Sequence, residues 1–184
     1  MTTDREHWDE RYADASEPGS AVPFVGSIVG QLPRSGTALD VAGGTGATAL
    51  MLAKHGLVTT LVDVSPVALV VASEAADRAQ LSLDTSALDL MTDNPPAGPW
   101  DVIVVANYLQ RDLFPKLIAR LTPGGLLAVA IATVTNLERN QHPSARFLLE
   151  RGELSAMASG LDVVSLDEDW FGDRHEARLL ARRF

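Results

Sequence analysis

Leu39-Asp40-Val41-Ala42-Gly43-Gly44-Thr45-Gly46 decides how this chain is read. An apolar run from Thr37 to Ala42 leads into it, and a helical run from Thr48 to His55 leaves it. Glycines between a strand and a helix let the backbone turn sharply and approach a ligand closely. The start of the helix adds unpaired backbone amides. Outward from this loop, short apolar runs alternate with helical ones. Strands are expected at Thr37–Ala42, Val58–Val62, Leu83–Leu88, Asp101–Ala106 and Leu126–Ala132, with helices at Thr48–His55, Val67–Ala79 and Leu113–Leu121. Near-continuous apolar strands spaced by helices indicate a parallel sheet buried on both faces. Right-handed crossovers then make it doubly wound.

The tail follows another pattern. Ala145–Ser159 reads as a helix stopped by Gly160. Two further strands, Leu161–Leu166 and Ala177–Phe184, flank the polar, turn-bearing stretch Asp167–Glu176. Strands joined without a crossover helix are antiparallel. The expected fold class is therefore α/β: a Rossmann-like, doubly wound, seven-stranded and mostly parallel sheet with an antiparallel C-terminal strand beside Leu126–Ala132. One domain is expected over residues 1–184, with an N-terminal helical lid segment at 1–33 and a Rossmann-like core at 36–184. Within the lid, Trp8 and Tyr12 share a helical face at i, i+4, and Pro18 and Gly19 follow as a hinge.

Composition narrows the function. The 184 residues are 46% hydrophobic and 21% charged, ordinary for a globular protein, and long enough to bury a substantial core. No apolar run approaches the roughly 18 residues of a membrane span, and Met1–Glu10 is too polar for a secretory signal. The sequence contains no cysteine, which removes disulfides, thiolate metal sites, cysteine nucleophiles and iron–sulfur clusters. The formal net charge of −9 disfavours nucleic acid and anionic membrane as partners. The basic run Arg178–Arg183 alternates with apolar residues, as a strand does. A cytoplasmic protein, monomeric or homodimeric, is the expectation.

Two ligands fit the glycine loop. Gly44-x-Gly46-x-x-Ala49 matches a dinucleotide fingerprint, and Asp63 lies 19 residues beyond Gly44, near the roughly 20 expected of a ribose-binding acid. That reading makes the protein an NAD(P)-dependent oxidoreductase. Asp40, however, projects from the tip of the first strand, where a pyrophosphate would meet a like charge. A cationic ligand carrying an amino group and a sulfonium suits an acid there, and Asp63 serves ribose under either reading. A Tyr-x-x-x-Lys pair, which an oxidoreductase of this kind would use, is also missing, since neither Tyr12 nor Tyr108 is followed by lysine four residues on.

The ordered set of segments resembles the class I S-adenosylmethionine-dependent methyltransferases, in particular the small single-domain group of tellurite-resistance-type enzymes. The matching segments are Leu39 to Gly46, Val62-Asp63-Val64-Ser65-Pro66-Val67-Ala68-Leu69, Asp101 to Asn107 with Tyr108-Leu109-Gln110-Arg111, and Leu121 to Leu127. His7-Trp8-Asp9-Glu10-Arg11-Tyr12 and Phe147 to Leu154 complete the set. The family's first loop glycine is Ala42 here, a methyl group that narrows the backbone approach. The resemblance implies S-adenosylmethionine as cofactor, S-adenosylhomocysteine as product and in-line transfer to a small-molecule acceptor. It implies that Asp40 and the backbone of Ala42, Gly43, Gly44 and Gly46 hold the methionine moiety, and that Asp63 holds the ribose. Val64, Leu88 and Leu90 then flank adenine, Asp89 accepts from its amino group, and Asn107 and Tyr108 line the transfer site. The shared helical face of Trp8 and Tyr12 is read separately, either as a lid over the cofactor or as a packed helix face. A noncatalytic S-adenosylmethionine binder stays open as an alternative.

Other signals are weaker. Asp93-Asn94-Pro95-Pro96 resembles a motif of nucleic-acid amino methyltransferases, but Ala97 replaces its aromatic residue and it precedes the fourth strand; it reads as a loop. His7, His55, His142 and His175 lack metal-ligand spacing, so no metal is expected. His142 and His175 fall in expected loops at the open end of the sheet and join Tyr108 as catalytic candidates. Trp100 is expected to start the fourth strand, and Trp170 to sit in a loop facing substrate. Ser144, Ser155 and Ser165 have no nucleophile-elbow context.

Overall fold

The strand that carries Asp40 lies inside the sheet because its residues are apolar on both faces. In the computed structural model, which describes residues 3–184, Ala38, Leu39 and Val41 are fully buried. Met1 and Thr2, the start of the expected lid segment, lie outside the described residues. The elements run α1 (Asp4–Tyr12), α2 (Pro23–Ile28), β1 (Thr37–Val41), α3 (Ala47–His55), β2 (Val58–Asp63), α4 (Pro66–Ala79), β3 (Leu83–Ala87) and β4 (Trp100–Ala106). They continue with α5 (Phe114–Ala119), β5 (Leu121–Ala132), α6 (Glu153–Met157), β6 (Asp162–Phe171) and β7 (Arg174–Arg182). Seven strands form one sheet in the order β3-β2-β1-β4-β5-β7-β6. The first five are parallel, and β7 is antiparallel to both of its neighbours.

Alternate residues of the strands feed two cores. Leu39, Val41, Ile103, Val105, Leu127 and Val129 pack with Phe114 and Leu117 of α5 on one face. Ala38, Val102, Val104, Ala128 and Leu180 pack with Phe24, Val25, Ile28 and Leu52 on the other. Helix α4 starts as its sequence dictates: Ser65 Oγ accepts from the Ala68 amide at 3.2 Å, and Pro66 occupies the first turn. The strand placed beside Leu126–Ala132 is indeed antiparallel, pairing Leu127 with Ala181 and Val129 with Leu179.

The structure corrects four sequence boundaries. Ala145–Ser159 is not one helix: Ala145–Phe147 is a 3-10 turn, Leu149 bridges to Thr133 and only Glu153–Met157 is α-helical. Leu148 and Leu149 are both buried, and burying two neighbouring side chains there prevails over local helical preference. Leu121 belongs to β5, opposite Trp100, while Leu126 pairs with Val102, so Thr122–Gly125 bulges between them. The stretch Asp167–Glu176 is mostly strand. β6 and β7 extend through it, pairing Trp170 with His175 and turning at Gly172 and Asp173, where Gly172 has φ +71°. Its polarity reflects an outer strand exposed along much of its length, not a loop. The last strand also ends at Arg182, leaving Phe184 exposed.

Strand β7 covers the open edges of both β5 and β6. A chain ending at Asp173 leaves the apolar β5 edge unpaired, so it is expected to aggregate on size-exclusion chromatography. A truncated chain that elutes as a soluble species and unfolds cooperatively would contradict this role.

Candidate functional site

The site grows from the turn between β1 and α3. The chain leaves Val41 and reverses through Ala42–Gly46, with Gly46 (φ +80°) capping α3. A Cβ at Gly43 would lie 2.5 Å from Asp40 Oδ2, and one at Gly46 would lie 2.7 Å from Ala72 Cβ on α4. Both positions therefore require the bare backbone. Ala42 itself adopts φ +53°, a left-handed conformation that costs an L-residue about 1–2 kcal/mol. The expected narrowing by its methyl is thus joined by backbone strain, which a glycine would relieve.

Two buried carboxylates stand beside this turn. Asp63, at the end of β2, accepts the Gly44 amide through Oδ2 at 2.8 Å and the Ser65 amide through Oδ1 at 3.0 Å. Burial raises its pKa, and the amides of Ser65, Gly44 and Val64 oppose that rise. Asp40 is only 2% exposed, and its Oδ2 has no hydrogen-bond partner. Burial pushes its pKa up to about 7, opposed by the Ala49 amide and reinforced by Asp63. A buried acceptor without a donor is rare and needs a reason.

Asp40 lines a cavity of about 230 Å³ at the carboxyl ends of β1, β2 and β4. The chain winds to one side from β1 and to the other from β4, which makes this the switch point of the sheet. Ala42, Gly43, Gly44 and Thr45 form the floor, and Asp63, Val64, Leu88, Asp89, Leu90 and Met91 one wall. Ala106, Asn107 and Tyr108 form the opposite wall, and Asp4, Trp8, Tyr12, Gly19, Ser20 and Val22 the roof. Every cofactor candidate named from sequence lines this cavity except Gly46, which sits behind it in the helix cap.

The roof is tied down by polar contacts. Thr3 caps α1 in a capping box with Glu6. Trp8 and Tyr12 stack with centroids 5.7 Å apart, and Ser65 Oγ donates to Asp9 Oδ1 at 2.5 Å. The amides of Gly19 and Val22 donate to Thr45 Oγ1 at 3.2 Å and Thr48 Oγ1 at 3.1 Å. No residue of α1 is buried, so the helix rests on the cavity rather than in the core. Thr45, Thr48 and Asp4 escaped the sequence reading. Their partners lie far along the chain, and only the position of Thr45 inside the glycine loop hinted at a role.

The three catalytic candidates separate. Tyr108 lines the cavity, donates its hydroxyl to Gln110 Oε1 at 2.6 Å, and has its pKa pushed up to about 12 by burial, with Asp89, Asp4 and Asp63 adding to it. His175 is not in a loop. It is buried on β7, with Nδ1 2.7 Å from Thr133 Oγ1, and does not line the cavity. His142 does lie in a loop, where its carbonyl accepts from Asn136 Nδ2 at 3.1 Å, away from the cavity. Trp170 is likewise on β6, where the Arg139 guanidinium sits 3.8 Å over its ring.

Asp40 sets a pH dependence of stability. Its folded pKa of about 7 exceeds its ordinary 3.8, so the fold prefers the protonated acid. The contribution is fully present below about pH 4 and is lost as pH rises through 7. Asp40→Asn is expected to stabilise the cofactor-free protein by roughly 2–4 kcal/mol at pH 8, with the gain fading towards pH 4. Chemical denaturation at the two pH values measures this, and an equal or negative effect at pH 8 would contradict it.

Residues 38–125 match the family model described as a methyltransferase domain. No curated protein sequence matches the chain. Three solved structures share its fold. TehB from Haemophilus influenzae is 18% identical over 98% of this chain and 67% of its own, with a TM-score of 0.73. Magnesium protoporphyrin IX methyltransferase from Synechocystis PCC 6803, with S-adenosylmethionine bound, is 14% identical over 98% of this chain and 95% of its own, with a TM-score of 0.71. A structure described for the conversion of a disulfide bond into a thioacetal group during echinomycin biosynthesis is 21% identical over 97% of this chain and 92% of its own, with a TM-score of 0.73. The family match and the sheet order agree: residues 38–125 match a methyltransferase domain, on the fold that these three structures share.

Proposed function

We propose that the protein transfers a methyl group to a small-molecule acceptor held under helix α1. The observation that carries this reading is the orphaned Oδ2 of buried Asp40 in the switch-point cavity. An anion there is poorly matched to a pyrophosphate and well matched to an ammonium group. When bound, S-adenosylmethionine supplies a methyl carbon already activated by its sulfonium, so the protein's tasks are alignment and water exclusion.

In this reading Asp40 receives the ammonium of the methionine moiety, and the backbone of Ala42–Thr45 lies against it. Asp63 accepts from the ribose hydroxyls. Each of its oxygens holds one backbone amide, which leaves a lone pair on each for the sugar. Asp89 gives one oxygen to the Met91 amide at 3.0 Å and keeps the other for the adenine amino group, between Leu88 and Leu90. Asn107 and Tyr108 flank the transferring methyl. With its pKa near 12, Tyr108 stays protonated at neutral pH; its hydroxyl donates to Gln110, so its oxygen orients the acceptor by accepting a hydrogen bond rather than by removing a proton. An acceptor that is already nucleophilic suits such a site.

Helix α1 acts as the lid. Trp8 and Tyr12 close the cavity from above, yet α1 buries no residue. Trp8→Ala and Tyr12→Phe are therefore expected to lower turnover, Trp8→Ala by roughly tenfold, with the melting temperature of the cofactor-free protein nearly unchanged. Hydrogen exchange across residues 4–16 is expected to slow when S-adenosylhomocysteine binds. Unfolding caused by Trp8→Ala, or exchange there that ignores the ligand, would make the helix structural packing instead.

A further inference from the structure

The cavity wall carries a one-sided charge. Asp4, Asp40, Asp63 and Asp89 line it, and among the described residues no lysine, arginine or histidine does. Arg11 lies over the ring of Trp8, 5.6 Å from its centroid, without lining the cavity, while Arg78 pairs with Glu17 at 2.9 Å and Arg111 pairs with Glu153. The buried, unpartnered Oδ2 of Asp40 marks the same cavity as built for a positive ligand. Bound S-adenosylmethionine brings one net positive charge against these four carboxylates, so negative potential remains where the acceptor enters. Beside the transfer site the cavity is lined by Asp4 on α1 and by the aromatic surfaces of Trp8 and Tyr108, and the charge of Asp4 is felt at the Tyr108 hydroxyl. A thiolate, phenolate or carboxylate placed there would meet a like charge with no cationic side chain in the cavity wall to offset it. An ammonium would meet an opposite charge and aromatic rings, both of which favour a cation.

We propose that the methyl acceptor is an amine, drawn in as its ammonium form by Asp4. This rests on the methyl-transfer reading above and names the acceptor class for it. The ammonium first gives a proton to solvent at the cavity mouth. The nitrogen lone pair then forms the N–CH3 bond as the C–S bond breaks, and the electron pair of that bond stays on sulfur. The cofactor becomes a neutral thioether, the nitrogen takes over the positive charge, and the methylated ammonium leaves from a wall that tolerates it. No buried base is needed, in keeping with a protonated Tyr108 and with His142 and His175 lying outside the cavity.

Calorimetry on the S-adenosylhomocysteine-loaded protein tests this with two probes of matched shape and opposite charge, phenethylamine and 3-phenylpropionate. Phenethylamine is expected to bind at least tenfold more tightly, which corresponds to about 1.4 kcal/mol. The preference is expected to shrink in Asp4→Asn, persist in Asp4→Glu and weaken with added salt. Equal or tighter binding of 3-phenylpropionate, or binding of neither probe to the loaded protein, would overturn the amine assignment while leaving methyl transfer intact. Failure of S-adenosylhomocysteine itself to bind would instead overturn the reading on which it rests.

Discussion

The hydrogen bond from the Gly44 amide to Asp63, 2.8 Å long, holds the functional end of this molecule together. It joins the turn after β1 to the tip of β2 and fixes the floor of the cavity. Asp63 also accepts the Ser65 amide, and Ser65 in turn caps α4 and donates to Asp9 on the roof helix. One carboxylate thus links the glycine turn, the second crossover helix and the lid. The parallel core supplies the rigidity: β1 pairs with both β2 and β4 in continuous register, so neither Asp40 nor Asp63 can shift without the sheet.

Against this rigid frame the site is held at a cost in stability. Asp40 is buried without a donor, and Ala42 takes a left-handed backbone. Asn107, at the end of β4, is also left-handed (φ +59°), and its amide donates to Ala130 O at 2.9 Å. Three unfavourable conformations or burials within one cavity are what a preorganised ligand site looks like. A cation supplied by the ligand would satisfy the most costly of them.

Much of this was legible in the sequence, for physical reasons. Strands buried on both faces leave near-continuous apolar runs, so Thr37–Ala42, Val58–Val62 and Asp101–Ala106 were plain, and with the first two the acids at their ends. Asp40 stood out because a charge at the tip of a strand buried on both faces needs a purpose. The hairpin of β6 and β7 was shorter in the sequence reading than in the structure because an exposed outer strand carries charge on many positions. That error placed His175 and Trp170 in a loop, whereas their cross-strand pairing keeps them from the cavity. The broken helix after Ala145 misled for the opposite reason: Leu148 and Leu149 look helical locally but are pulled into the sheet's end. The threonine contacts to Gly19 and Val22 span 26 residues and left no local trace.

The central claim is that Asp40 and Asp63 frame a site for a cationic adenosyl ligand. Titration calorimetry of the wild-type protein with S-adenosylmethionine and NAD at pH 7, in buffers of different ionisation enthalpy, tests it directly. With its pKa near 7, Asp40 is partly protonated in the free protein, and a cation beside it lowers that pKa. The account predicts binding of S-adenosylmethionine with release of a fraction of a proton, and no binding of NAD. Tight binding of NAD with no measurable heat from S-adenosylmethionine would contradict it.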